Sequence, residues 1–108
     1  MIFRSLHTDV PVPSVPFQEA VLHQAEKLGA TPALIEAETR RTLTYRDLVR
    51  DVGRFATAIA SRGMRKGDVF AVMLPNLLEF AIAFYGVLAA GGIITALNPL
   101  YTTDEITQ

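Results

Sequence analysis

The clearest pattern along the chain is a stripe of apolar residues between Tyr45 and Arg62, with charged residues on the opposite side. This three- and four-residue spacing predicts an amphipathic helix over about 45–62. Thr44 precedes it with Asp47 three residues on, which is typical of an N-cap, and Gly63 follows where a left-handed C-cap is expected. The stripe consists of Tyr45, Leu48, Val49, Val52, Phe55, Ala56, Ile59 and Ala60.

A second pattern predicts two strands joined by a helix. Val69–Leu74 is a continuous apolar run of strand length, ended by Pro75, and is typical of a strand buried on both faces. Leu77–Ala90 follows as an apolar helical segment with Glu79 as its only charge, and the β-branched Ile93–Leu97 forms the next strand. Strand, helix and strand with tight connections predict a right-handed parallel βαβ unit.

The N-terminal part of the chain predicts an arm, a helix and a hairpin. Three prolines favour extended backbone, so residues 1–16 are expected to form an extended arm. Apolar residues at helical spacing over 17–28 predict one helix, which Gly29 ends. The segments 33–37 and 41–45 flank a three-residue turn and predict a small antiparallel hairpin.

The last residues of the chain predict the start of a helix that the sequence does not complete. Thr102 and Glu105 stand at capping-box spacing, yet the chain ends at Gln108 before two helical turns. We therefore expect residues 17–108 to be a partial α/β unit, truncated at its C-terminus. The predicted fold class is α/β, a βαβ layer with parallel strands plus a small antiparallel hairpin.

The amino-acid composition excludes several classes of protein. The 108 residues are 50% hydrophobic with a mean hydropathy of +0.28, which excludes global disorder. Ten Lys and Arg against eleven Asp and Glu give a net charge of −1, so the basic footprint of a nucleic-acid binder is absent. The lack of cysteine excludes disulfides and thiolate metal sites, and it fits a reducing cytosol without requiring one. The cytoplasm is the expected compartment.

One apolar stretch, Phe80–Leu97, reaches the lower limit of transmembrane length. The pair Gly91-Gly92 interrupts it before a β-branched run, which favours a buried helix, a turn and a buried strand over a membrane span. The first residues contain Arg4 and an early Asp9 without a sustained apolar core, so no signal peptide is predicted.

Each residue type that could carry chemistry has a structural explanation here. His7 and His23 lie too far apart along the chain to suggest a shared zinc site. Gly91 and Gly92, like Gly86, are explained by close helix–sheet packing, because they do not stand between a strand and the helix after it, as in a nucleotide-binding loop. The serines do not stand in the Gly-x-Ser-x-Gly motif of a nucleophile: Ser5, Ser14 and Ser61. The carboxylate pairs are expected on helix caps or solvated helix faces: Asp47/Asp51 and Asp104/Glu105. No catalytic, cofactor-binding or metal-ligating residue is assigned.

Several motifs in series resemble the start of the AMP-forming adenylating enzymes, a superfamily that includes acyl-CoA synthetases and the adenylation domains of peptide synthetases. The matching motifs are Leu43–Leu48, Gly67-Asp68, Leu74–Asn76, Glu79-Phe80, Val87–Gly92, Asn98–Thr102 and Glu105. The arm, with Ile2–Ser5 and Asp9–Pro13, further resembles the 4-coumarate:CoA ligase branch.

This resemblance implies that residues 17–108 are a partial N-terminal α/β subdomain of an ATP-dependent carboxylate–CoA ligase. Such an enzyme activates a carboxylic acid with ATP and Mg²⁺ to an acyl-adenylate and then forms a CoA thioester. The family's phosphate loop, ribose-binding Asp and lid domain with its catalytic Lys have no counterpart in this sequence. The isolated chain is therefore expected to be inactive and to bind none of these cofactors.

Two other functions stay open at this point. The chain could be a complete, non-enzymatic partner-binding or assembly module derived from the same fold, or part of a peptide-synthetase adenylation domain. The apolar helix over 77–90 also leads us to expect self-association, with an apolar patch formed by Phe80, Phe84, Val87 and Leu88.

Overall fold

The computed structural model describes residues 1–107, in which helices and strands follow each other from Phe17 onward. Residues 1–16 lie outside helix and strand, and their side chains are exposed. The elements are α1 (Phe17–Leu22), α2 (Ala25–Leu28), β1 (Pro32–Ile35), β2 (Thr42–Thr44), α3 (Tyr45–Ser61), β3 (Val69–Val72), α4 (Leu78–Ala89), β4 (Ile93–Ala96) and α5 (Thr103–Thr107).

The amphipathic helix α3 and its caps are confirmed. The Thr44 Oγ1 accepts a hydrogen bond from the Asp47 backbone N–H at 3.1 Å and donates one to the Asp47 carboxylate at 2.8 Å. Gly63 has a φ of +101°, the left-handed conformation expected just past a helix C-terminus. Leu48, Val52 and Ile59 are the buried residues of its apolar stripe.

The parallel βαβ unit is also confirmed. β3 pairs with β4 in parallel, in a register from Val69 opposite Ile93 to Val72 opposite Ala96, with α4 as the crossover. β3 ends two residues earlier than predicted, ahead of Pro75, which has no backbone N–H for a ladder. Within residues 1–107, no helix is both long and apolar enough to cross a membrane.

The predicted hairpin is confirmed as an antiparallel pair of β1 and β2, with an irregular register between Pro32 and Leu34. Arg40 supplies the reversal, since its φ of +61° places it in the left-handed region. This turn brings Glu36 and Arg41 together, and the Glu36 N–H donates to the Arg41 carbonyl oxygen at 2.9 Å.

The single helix predicted over 17–28 is wrong, because the structure divides it at His23 and Gln24 into α1 and α2. The two pieces pack on different partners: α1 contacts α4, whereas α2 contacts α3. Phe17 of α1 stacks on Tyr85 of α4 with ring centroids 6.3 Å apart. One straight helix along this segment would not serve both partners, and the sequence pattern does not contain that information.

The core lies where α3 packs against α4 and the hairpin. Its central cluster is Leu43, Leu48, Val52 and Leu78. The expectation that β3 would be buried on both faces is wrong for this chain, because Val69 is 66% exposed and its partner Ile93 is 54% exposed. α4 packs on both strands of this sheet, and Phe55 of α3 meets Phe70 of β3 edge-on. Because side chains alternate along a strand, Val69 and Ile93 lie on the other face, which is open within the described chain.

Two helical glycines give a matched test of this packing. A Cβ on Gly86 would lie 2.6 Å from the Phe55 ring, whereas a Cβ on Gly53 would meet nothing within 4 Å. Gly86→Ala should lower the free energy of unfolding by about 1 kcal/mol, because crowding of roughly 1–3 kcal/mol exceeds a helix-propensity gain of about 1 kcal/mol. Gly53→Ala should raise it by roughly 0.5–1 kcal/mol. Urea unfolding measures both, and stabilisation by both would contradict the close approach of α3 and α4.

Candidate functional site

The structure keeps the two histidines apart from any metal-ligating group. The His23 Nδ1, just past the end of α1, lies 2.8 Å from the carbonyl oxygen of Ala20 in that helix, and His7 is exposed in the arm. Among residues 1–107, no group of three or more His, Asp or Glu side chains could hold a metal ion.

The carboxylate pairs lie on helix ends and solvated faces. Asp47 caps α3 and pairs with Arg50 at 2.9 Å, and hydrogen bonds from Thr44 lower the pKa of its carboxyl group. Glu105 accepts hydrogen bonds from the Thr102 N–H at 2.8 Å and from its hydroxyl at 3.0 Å. These bonds lower the pKa of Glu105. The Glu105 N–H in turn donates to the Thr102 Oγ1 at 3.4 Å, which completes the predicted capping box of α5.

A polar cluster that the sequence did not reveal joins the hairpin to α4; we call Glu36, Arg41 and Glu79 the carboxylate clamp. The Arg41 guanidinium donates to Glu36 Oε1 at 2.6 Å and to Glu36 Oε2 at 3.0 Å. The same guanidinium donates to both oxygens of Glu79 at 2.8 Å. Thr39 adds a hydroxyl hydrogen bond to Glu36.

Glu36 also caps α4 from a distance of 42 positions in sequence. Its Oε1 accepts the Leu78 backbone N–H at 3.2 Å, while Leu77 at the N-cap has no side-chain acceptor to offer. A carboxylate at a helix N-terminus satisfies a free N–H and interacts favourably with the helix dipole. Glu36 is the buried polar residue of the described core, with 8% of its surface exposed.

The electrostatics of the carboxylate clamp favour the ionised state of its carboxylates. Hydrogen bonds from Arg41, then from Thr39, lower the pKa of Glu36 to about 2 against the opposing effect of burial. The hydrogen bond from Arg41 also lowers the pKa of Glu79, and these two carboxylates raise the pKa of Arg41. Charges held in this way stabilise a structure; none is poised to exchange a proton near neutral pH.

A cleft at the carboxyl ends of β3 and β4 is the place where parallel sheets usually receive ligands. It has a volume of about 510 Å³, lies between Leu74–Asn76 and Ala96–Leu100, and is lined by apolar residues and two asparagines. The Asn98 Oδ1 already accepts the Leu100 N–H at 3.0 Å. The cleft therefore offers hydrogen bonds and apolar surface, but no acid, base, nucleophile or cation among its lining residues.

Comparison with known proteins shows to which family this chain belongs. The profile described as AMP-binding enzyme matches residues 21–108. The chain belongs to the AMP-binding enzyme family. 4-Coumarate–CoA ligase-like 1 of Arabidopsis thaliana is 42% identical over 106 residues, which cover 97% of this chain and 20% of the relative. This chain thus spans about a fifth of that relative's length.

Two solved structures have the same fold as this chain. The nonribosomal peptide synthetase FmoA3 superposes with a TM-score of 0.81 at 31% identity, over 92% of this chain and 10% of the synthetase. A long-chain-fatty-acid–CoA ligase from Archaeoglobus fulgidus superposes with a TM-score of 0.86 over 96% of this chain and 22% of the ligase, and at 21% identity it shows the fold alone. FmoA3 has also been solved with bound AMPPNP, in keeping with ATP use in this family.

These matches confirm the family predicted from the sequence motifs and the α/β fold that the resemblance implied. The sequence analysis did not predict the carboxylate clamp, because its residues are far apart in sequence. Two features of the sequence nevertheless pointed to these residues. Glu36 and Arg41 flank the hairpin turn, and Glu79 is the lone charge of an otherwise apolar helix.

Proposed function

We propose that this chain is the N-terminal part of an ATP-dependent carboxylate–CoA ligase. In the parent reaction, a carboxylate oxygen attacks the α-phosphorus of ATP, and pyrophosphate leaves as the acyl-adenylate forms. The CoA thiol then attacks the acyl carbon and AMP leaves. The observation that carries the proposal is the 42% identity to 4-coumarate–CoA ligase-like 1 along 97% of the chain.

The strand-end cleft, where a parallel sheet usually receives a ligand, does not fit ATP or Mg²⁺. The strand-end cleft has no cationic lining residue, and residues 1–107 hold no metal-ligating cluster. We therefore assign ATP, Mg²⁺ and CoA to parts of the parent outside this chain. Within a cytoplasmic parent enzyme, the role proposed for this chain is to build and brace the scaffold beside the catalytic groups.

The isolated chain should catalyse no carboxylate-dependent exchange of pyrophosphate into ATP, because preorganised phosphate-binding groups supply most of such catalysis. A chimera provides the positive half of the test. This chain replaces the homologous 106-residue segment of the Arabidopsis relative, and thioester formation is measured with the relative's own acid. Its rate should be within about tenfold of the intact relative, a tolerance of roughly 1.4 kcal/mol in the barrier.

The matched control is the relative with this segment deleted, which should be inactive. A chimera that folds but stays at the level of the deletion control would contradict the ligase proposal and favour the non-enzymatic module. Exchange activity above a blank in the isolated chain would contradict the assignment of the cofactors to other parts of the parent.

A peptide-synthetase adenylation domain is the second candidate, favoured by the 31% identity to FmoA3. The same segment exchange in an FmoA3 adenylation domain distinguishes the two candidates, when each chimera's activity is expressed relative to its intact host. We expect higher relative activity in the ligase host, because the chain is more similar to the ligase-like protein. Equal or better activity in FmoA3 would reverse that preference.

A further inference from the structure

Met64 closes the C-terminus of α3. Its backbone N–H donates to the Ile59 carbonyl oxygen at 3.2 Å, and the Gly63 N–H donates to the Ala60 carbonyl oxygen at 3.0 Å. With Gly63 in the left-handed region, these two bonds form a Schellman motif. In such a motif the residue two positions after the C-cap makes an apolar contact with the last turn of the helix. The C-cap is Arg62, so that residue is Met64.

The Met64 side chain extends from the end of α3 to the turn between α4 and β4. A Cβ on Gly92 would overlap the Met64 Cε and would lie 2.9 Å from the Val87 Cγ1. The Met64 methyl group therefore lies against the backbone of Gly92, beside the fully buried Val87. One thioether side chain thus connects the end of α3 to the α4–β4 turn.

Small solutes can reach this side chain. Met64 is only partly buried, and it lines a cleft of about 600 Å³ together with Phe55 and Ile59. Hydrogen peroxide is little larger than water, so a cleft of this volume admits it. A methionine thioether is oxidised to the sulfoxide, which converts a flexible apolar side chain into a polar one. The residue that joins α3 to the α4–β4 turn is therefore also one that a peroxide can modify.

We propose that Met64 is a site of peroxide oxidation whose modification releases the contact between the end of α3 and the α4–β4 turn. The sulfur attacks one peroxide oxygen, the O–O bond breaks, and the other oxygen leaves as water, so the sulfur is oxidised and the peroxide reduced. The sulfoxide oxygen needs a hydrogen-bond donor, which the apolar side chains of Val87 and Ile59 do not offer. The modified side chain therefore turns to water and leaves Gly92. Methionine sulfoxide reductases reverse the modification.

A time course with hydrogen peroxide tests the proposal, with peptide mass spectrometry and urea unfolding on the same samples. The chain has three methionines, and Met1 and Met73, which are 106% and 44% exposed, serve as references. Conversion of Met64 should lower the folded-to-unfolded ratio about tenfold, because a polar group enters an apolar contact. Methionine sulfoxide reductases of both stereospecificities, with dithiothreitol as reductant, should restore the original ratio.

Met64→Leu is the matched variant, since leucine has a similar volume and cannot be oxidised, and Met73→Leu is its control. After the same treatment, the ratio should fall less than twofold in Met64→Leu and about tenfold in Met73→Leu. Equal losses in the two variants would overturn the proposal, as would a Met64 that stays reduced after full conversion of Met1 and Met73. If Met64→Leu does not fold, the time course decides, because a loss of stability that precedes oxidation of Met64 overturns the proposal. None of these results bears on the ligase proposal.

Discussion

Glu36→Gln should unfold roughly 5–10 °C below the unmodified chain at pH 7, measured by circular dichroism. The substitution keeps the shape of the side chain but removes the charge that Arg41 holds at 2.6 Å. It also weakens the acceptor for the Leu78 N–H at the start of α4. Because the buried Glu36 carboxylate binds both Arg41 of the hairpin and the first N–H of α4, both elements should lose support together.

The pH dependence of this difference has a defined sign. The pKa of Glu36 is lowered to about 2 in the folded chain from an ordinary value of 4.5. A lowered carboxyl pKa contributes stability that is present above the unfolded pKa and is lost as the pH falls through the folded pKa. The gap between the unmodified chain and Glu36→Gln should therefore be full above about pH 5 and shrink between pH 4.5 and 2.

Glu79→Gln is the matched control within the carboxylate clamp. Glu79 pairs with the same guanidinium at 2.8 Å, but half of its side chain is exposed, and exposed ion pairs contribute little to stability. Its unfolding temperature should fall by much less than that of Glu36→Gln. Equal losses in the two variants, or a Glu36 gap that does not change with pH, would contradict the capping role assigned to Glu36.

The features that the sequence predicts well are those encoded within one turn of helix or one strand. Thr44 and Asp47 are three residues apart, so their cap requires no knowledge of the fold. The parallel pairing of β3 and β4 follows from chain order, because a helix between two strands permits a right-handed crossover. Local spacing and handedness thus determine most of the secondary structure of this chain.

The carboxylate clamp and the break between α1 and α2 depend on contacts between distant segments. Glu36 lies in sequence as one acidic residue among several, and only the folded hairpin places it 3.2 Å from the N–H of Leu78. His23 and Gln24 have no helix-breaking side chain, and the helix ends there because α1 and α2 pack on different helices. Tertiary contacts override local propensity at both places.

The apolar helix α4 shows the same limit, since a pattern with a single charge does not indicate which side faces inward. Phe80, Phe84, Val87 and Leu88 were expected to share an exposed patch. That expectation is wrong for Val87, which is fully buried at 0% exposure, whereas the other three are half-buried. Val87 lies against the turn after α4, where a Cβ on Gly92 would come within 2.9 Å of its Cγ1.

Val87→Ala should accordingly lower the free energy of unfolding by about 2 kcal/mol, a large part of a typical small-domain stability. Val69→Ala is the matched control, because it removes the same two methyl groups from a side chain that is 66% exposed. Val69→Ala should lower the free energy of unfolding by only about 0.5 kcal/mol, mainly through the lower strand propensity of alanine. Urea unfolding of both variants measures the difference. Equal costs would mean that Val87 is not buried in the folded chain, and would support the exposed patch expected from the sequence of α4.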